Sequence, residues 1–333
     1  MKRFLAVLLA GLLLCGCSAK AEAEPEPEAQ PTVPLIDTVF IAETIPSETV
    51  DVSQEALTLA EEPPLPASVV LMPEPSGLLE QRCAEAVIDY SHTEDGYVMV
   101  CYTGETEQRL KVLVKGPGIT YAYNLPVGEW TTFPLSDGNG TYTVGVYCNV
   151  TGNKYAVVMT AEIVVEMVDE FVPFLRPNQY VNYTVAPETV TLGAELCAGL
   201  EHPLEKVATV YDHVVHHFSY DYEKAKTVTS GYLPELDAVL AERKGICFDY
   251  AALMTAMLRS QEVPCKLVVG YAGSVYHAWI SVWTEDNGWI DGVIFFDGNT
   301  WKRMDPTFAS SGEGDPKIME FIQNGAYHAL YLY

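Results

Sequence analysis

The segment GICFDYAALMTAMLRSQEVPCKLVVGYAG, residues 245–273, decides the fold. Gly245 interrupts the helical pattern before it, and Tyr250, Leu253, Met254, Met257 and Leu258 then recur at the spacing of one helical face. That spacing predicts a helix from Cys247 to about Ser260, followed by an apolar strand, KLVVGYAG, over 266–273. Cys247 stands in the first turn of the helix. There the unpaired N–H groups and the positive end of the helix dipole favour an anion, so a thiol at this position is biased toward its nucleophilic thiolate.

A nucleophilic thiol needs a base, and the next strand supplies one. In VYHAWISVW (275–283), Ala278, Ile280 and Val282 share one face while His277, Trp279 and Ser281 share the other. A histidine set in a strand is rigidly aimed. The base in turn needs a group that fixes its tautomer and favours its charged form, and Asp305, at the end of WKRMDP (301–306), is the candidate. Cys247, His277 and Asp305 thus stand in chain order as a nucleophile, a base and an orienting carboxylate. Tyr250, Asp249 and Trp279 are candidate site-lining residues, with helix packing as the alternative reading of the tyrosine and first-turn charge compensation as that of the aspartate. The Cys247 N–H is the first candidate donor to a developing oxyanion.

Helical patterns come before this segment, over 187–199 opened by Pro187, over 203–218, and in LPELDAVLAERKG (233–245). Residues 170–333 therefore read as α+β, with helices first and an antiparallel sheet after them. Residues 83–168 read instead as an all-β, Ig-like sandwich. Runs such as YVMVCYTG (97–104), RLKVLVKG (109–116) and TYTVGVYCNV (141–150) are rich in Val, Thr and Tyr, and turn signals such as SDGNG separate them. In TYTVGVYC, Tyr142, Val144, Val146 and Cys148 fall on one face. Cys101 and Cys148 are either a disulfide across facing strands or two buried thiols.

Taken together, GICFDYAALMTAMLRSQEVPCKLVVGYAG, YHAWISVW and WKRMDPTFA resemble the bacterial transglutaminase-like domain, and VYDHVVHHFSYDYEKAK (210–226) resembles the helix and Tyr-Asp-Tyr turn that precede its cysteine. The matching residues are Gly245, Cys247, Gly270, His277, Ala278, Trp279, Trp301, Asp305, Pro306 and Thr307. The resemblance implies a papain-like core and acyl chemistry, in which Cys247 attacks an amide carbonyl, His277 protonates the leaving amine and a thioester forms. Water as acceptor makes a protease or amidase, and a lysine-type amine makes a crosslinking enzyme. Animal crosslinking members are much longer and regulated by calcium, and no EF-hand loop stands in this sequence, so hydrolysis of a peptide or cell-wall amide is the favoured expectation. A surface binding protein that keeps the fold without the activity is the alternative.

The amino-terminal stretch MKRFLAVLLAGLLLCGCSAK has the layout of an export signal, and Leu-Cys-Gly-Cys at 14–17 resembles a lipobox, with Cys17 as the lipid attachment site. The expectation is a bacterial, extracytoplasmic, membrane-anchored lipoprotein with a signal peptide over 1–17. Residues 18–80 read as an acidic tether rich in Pro and Glu, with eleven Asp or Glu against one Lys between Ser18 and Glu62. The formal charge of -26 argues against nucleic acid as a partner and leaves proteins or peptidoglycan peptides as substrates. With Cys17 lipidated and Cys247 a working thiol, five cysteines remain in the mature chain, an odd number that excludes a disulfide scaffold. No cofactor is expected. His202, His213, His216 and His217 share a polar helical side, but no Cys or carboxylate joins them, and a solvated surface is preferred to a zinc site.

Overall fold

The computed structural model describes residues 70–291, 293–296, 301–304 and 326–333, all within one compact unit, Glu61–Tyr333. Cys17, Asp305, Pro306 and Thr307 lie outside the described residues, as does most of the 18–80 segment.

Eight strands come first: β1 (Glu80–Arg82), β2 (Ala86–Asp89), β3 (Tyr97–Tyr102), β4 (Leu110–Lys115), β5 (Thr120–Leu125), β6 (Thr131–Pro134), β7 (Gly140–Thr151) and β8 (Lys154–Val165). They form two antiparallel sheets, β1-β2-β3-β6 and β5-β4-β7-β8. Alternation explains what each strand buries: Val112 and Val114 of β4, and Tyr142, Val144 and Val146 of β7, are fully enclosed, while Lys115 and Thr141 face solvent. A bulge in the β7–β8 ladder after Val146 ends that alternation and leaves Cys148 half-buried. Cys101 and Cys148 are both free thiols.

The helical region follows, with α1 (Pro187–Leu196), α2 (Pro203–His217), β9 (Ser219–Tyr220), α3 (Tyr222–Thr227), α4 (Leu236–Glu242), β10 (Lys244–Gly245) and α5 (Cys247–Arg259). It ends in β11 (Cys265–Ala272), β12 (Val275–Thr284), β13 (Gly288–Asp291), β14 (Val293–Phe296), β15 (Trp301–Met304) and β16 (Tyr327–Leu332). The expected helix over 233–245 is shorter, because Arg243 takes a left-handed conformation at φ 50° and closes α4. Lys244 and Gly245 then pair in parallel with Ser219 and Tyr220 instead of continuing the helix. Helix α1 has no local side-chain cap. Its first N–H groups are met by Asp237 of α4, which accepts from Thr189 N–H at 2.8 Å and Glu188 N–H at 3.2 Å.

Helix α5 is the centre of this half. Residues Asp249 to Arg259 are all buried, and Leu267, Val269, Ala278, Ile280 and Val282 cover it from the sheet β13-β12-β11-β16. Arg259, at its end, is enclosed, and among the described residues no Asp or Glu side chain pairs with it. Its guanidinium donates instead to three main-chain oxygens: Nε to Cys265 at 2.8 Å, Nη1 to Arg176 at 2.6 Å and Nη2 to Tyr333 at 2.7 Å. The helix end, the start of β11, the segment after the β strands and the end of β16 are thereby held at one point. A tyrosine cluster continues the join, with Tyr123 of β5 packed 5.7 Å from Tyr180 and 5.9 Å from Tyr333.

On the other face of the sheet, Lys266 places its ammonium 3.4 Å from the centroid of the Trp289 ring, and burial lowers its pKa to about 8. Because this pKa lies below the roughly 10.4 of an unfolded lysine, the unfolded chain holds the proton more tightly. Stability should therefore rise with pH from about 8 upward, and Lys266→Met should remove that rise in urea unfolding curves compared at pH 7.5 and 9.5. Arg259→Met leaves three buried oxygens short of a donor, and the same curves should show a loss of about 3 kcal/mol.

Candidate active site

Cys247 is the first residue of α5, so its N–H is among those without an intrahelical partner. The thiol is half-buried and opens onto a cavity of about 580 Å³. The turn that presents it is built by its neighbours. Ile246 is extended, and Gly245 has no side chain where a Cβ would stand 2.8 Å from Asp249 Cβ and 3.0 Å from its Oδ2. The glycine leaves room for the Asp249 carboxylate to fold back on the chain, where Oδ2 accepts from Ile246 N–H at 2.8 Å.

That carboxylate is fully enclosed, and it collects two more donors from far along the chain. Lys224 Nζ of α3 donates to Oδ2 at 2.7 Å, and Tyr232 Oη donates to Oδ1 at 2.6 Å. Lys224 also reaches Tyr232 Oη at 2.6 Å and lies over its ring at 4.5 Å. Asp249 is not among the described residues that line the cavity. It fastens the wall formed by residues 225–232 to the turn carrying the thiol. Burial and the adjacent carboxylate push the Tyr232 phenol above its ordinary pKa, keeping it a hydrogen-bond donor. Helix α3 is held in place by Asp221, whose Oδ1 accepts from Glu223 and Lys224 N–H groups and pairs with Lys244 at 3.2 Å.

His277 lies on β12, directly opposite Gly270 of β11, and it is buried. It borders the same cavity as Cys247. Its ring stacks toward Trp279 at 6.3 Å and approaches Tyr327 at 6.5 Å. Gly270 has a steric role here, because a Cβ on it would overlap the His328 carbonyl oxygen of β16, the neighbouring strand of the sheet, where the β11–β16 ladder shifts register between Val269 and Gly270. Strand pair β14–β15, which ends one residue before Asp305, runs beside β12. Trp279 borders a different cavity, together with Lys266 and Trp289, and packs edge-on against Tyr327 at 5.2 Å. Tyr250 is fully buried and packs edge-on against Phe218 and Tyr220, so of the two readings of this residue the packing one describes its surroundings.

Burial pushes Cys197 and Cys265 up to about 11 and raises Cys101, whereas Cys83 is exposed. The α2 histidines are occupied with their own helix: His213 stacks on His217 at 4.4 Å, and His216 Nδ1 contacts the Asp212 carbonyl at 2.8 Å. His202 caps the helix start by accepting from Leu204 N–H. Among the described residues, no three His, Cys, Asp or Glu are grouped to hold a metal ion.

Residues 190–292 match the sequence model of the transglutaminase-like superfamily, so the chain carries a transglutaminase-like domain over this stretch. The superfamily includes both cysteine proteases and acyltransferases. The uncharacterized protein YebA of Bacillus subtilis is 29% identical over 125 residues, and a protein-glutamine gamma-glutamyltransferase of Pseudomonas aeruginosa is 27% identical over 119 residues. Each match covers 31% of this chain and spans only 17% of the relative's length. The solved structure of a proposed cysteine protease from Cytophaga hutchinsonii is 19% identical, with 70% of this chain and 73% of that chain covered at a TM-score of 0.36.

The buried Lys224–Asp249–Tyr232 group yields a direct test. Lys224→Met strands the carboxylate and should cost about 3 kcal/mol in chemical unfolding. Combining it with Asp249→Leu should recover part of that loss, since the uncompensated charge is then gone.

Proposed function

We propose that the transglutaminase-like domain is a thiol acyl-transfer enzyme acting on peptide or cell-wall amides, with Cys247 as nucleophile, His277 as general base and acid, and Asp305 as the group that orients the imidazole. The observation that carries this reading is that Cys247, at the start of α5, and His277, on β12, open onto one cavity. In the forward step the Cys247 sulfur bonds to the amide carbon while His277 takes the thiol proton. The tetrahedral oxyanion forms where the Cys247 N–H points. Collapse breaks the C–N bond, His277 passes its proton to the departing nitrogen, and a thioester remains on Cys247. Water then attacks the thioester with His277 as base, releasing the carboxylic acid and restoring the thiol.

The name of the Pseudomonas aeruginosa relative favours a second acceptor, an amine, in the last step. Both readings share the thioester and differ only in what resolves it. Anchoring through lipid on Cys17 belongs to the same proposal. It would place the enzyme outside the cytoplasm, with proteins or peptidoglycan peptides within reach.

On the detergent-solubilised full chain, iodoacetamide should alkylate Cys247 before the exposed Cys83, as read by peptide mass spectrometry at short times. Slower labelling of Cys247 than of Cys83 would count against an activated thiol. Cys247→Ala should lower amide turnover by roughly 10³-fold or more, the scale expected when a nucleophile is lost. Incubation of peptide substrates with a labelled primary amine separates the acceptors. Hydrolysed product without label supports water, and a stable amine adduct supports crosslinking.

A further inference from the structure

We propose that the cavity beside Cys247 selects an uncharged aromatic or branched-aliphatic side chain on the acyl side of the substrate, next to the attacked carbonyl, and excludes acidic and basic peptides. This rests on the thiol acyl-transfer reading above. The chain as a whole is strongly acidic, with 45 Asp and Glu against 19 Lys and Arg. The cavity does not share that character: among the described residues lining it there is no Asp, Glu, Lys or Arg. Its walls are Tyr180, Tyr220, Phe248, Val269 and Tyr276, and at about 580 Å³ it falls within the usual range for small-ligand sites, about 300–1,000 Å³.

Polar chemistry remains, but it is neutral. Burial raises the pKa of Tyr180, Tyr220 and Tyr276, so their phenols stay protonated and can donate to a peptide carbonyl. The nearest ion pair, Lys224–Asp249, has its carboxylate fully enclosed and already saturated by Tyr232 and the Ile246 N–H. A charged substrate side chain entering the cavity would lose hydration and meet no counterion among the described residues.

The mouth carries the same signature. Tyr276 is 59% exposed and Val228 38% exposed, and both border the cavity. Tyr271 and Val275, on the hairpin that carries Tyr276, are 41% and 53% exposed, and the Tyr271 ring packs 5.5 Å from that of Tyr276. Single exposed apolar side chains are ordinary, whereas several gathered at the entrance to a reactive thiol mark a contact surface. A substrate side chain seated there would cover apolar area and leave no polar group stranded.

The full chain would be treated with four peptidyl chloromethyl ketones that differ only in the residue next to the electrophile, Phe, Leu, Glu or Lys, and alkylation of Cys247 followed by mass spectrometry. The Phe and Leu probes should react at least about tenfold faster than the Glu and Lys probes, within the range set by a good or bad fit to an apolar pocket. Val228→Lys should speed the Glu probe relative to Phe, and Tyr276→Glu should speed the Lys probe. The reciprocal outcomes separate a charge effect from damage to the fold. Equal rates for all four probes, or a fastest Glu or Lys probe with the unmodified chain, overturn the proposal. Iodoacetamide serves as the control: a Cys247 that it leaves unmodified overturns the acyl-transfer reading and this one together. A Cys247 that it modifies readily while the four probes show no order overturns only the specificity.

Discussion

One buried carboxylate organises the reactive end of this molecule. Asp249 sits two residues after Cys247 with no exposure to solvent, and an isolated anion there would be expensive. It is stabilised by three donors at once: the Ile246 N–H, the Lys224 ammonium and the Tyr232 phenol. Each donor brings a different piece of chain to the same place, so the turn that presents the thiol and the wall that encloses its cavity cannot move independently. Gly245 is part of the arrangement because any side chain there would occupy the space of the carboxylate.

The opposite end of α5 is held by the complementary device, a buried cation bound by main-chain oxygens. Arg259 distributes its charge over carbonyl oxygens from Arg176, Cys265 and Tyr333, joining segments far apart in sequence. Between the two ends residues 250–258 are enclosed and almost all apolar, so Cys247 stands on a rigid element anchored at both termini. The eight-stranded region is tied to this frame through Tyr121 and Tyr123, which pack on Tyr331 and Tyr333 near the floor of the cavity. Its contribution to the site is mechanical support: no residue of β1–β8 lines the cavity that holds Cys247.

The charge distribution separates two demands. The chain as a whole carries 45 Asp and Glu against 19 Lys and Arg. The cavity beside the thiol is free of ionised side chains among its described residues, so electrostatic attraction there is limited to the reacting groups themselves. The Asp249 charge, close to the thiol in sequence, is neutralised by Lys224 behind the wall and does not oppose an anionic sulfur without compensation.

How much of this was legible in the residues alone follows from the range of each interaction. Helical and strand periods are local, so the start of α5 at Cys247, the alternation of β12 around His277 and the enclosed faces of β4 and β7 could be read directly. The end of α4 could not be read so well, since Arg243 and Lys244 continue a helical composition, and the helix stops at a left-handed Arg243 with Lys244 and Gly245 paired to β9. The carboxylate of Asp249 read as a site-lining candidate or as first-turn charge compensation, and its bond to Ile246 N–H is local, but its partners Lys224 and Tyr232 lie 25 and 17 residues away with no local pattern linking them. Gly270 matched a family pattern, yet its reason is the irregular pairing with β16, which brings the His328 carbonyl where a Cβ would stand, and α1 takes its cap from Asp237, 48 residues beyond Thr189. The sequence by itself determined which residues could be reactive and which faces must be buried, because those follow from side-chain chemistry and backbone period. Only the tertiary structure decided what neutralises Asp249 and how Cys247 and His277 come to share one cavity, because close packing of distant segments creates those contacts.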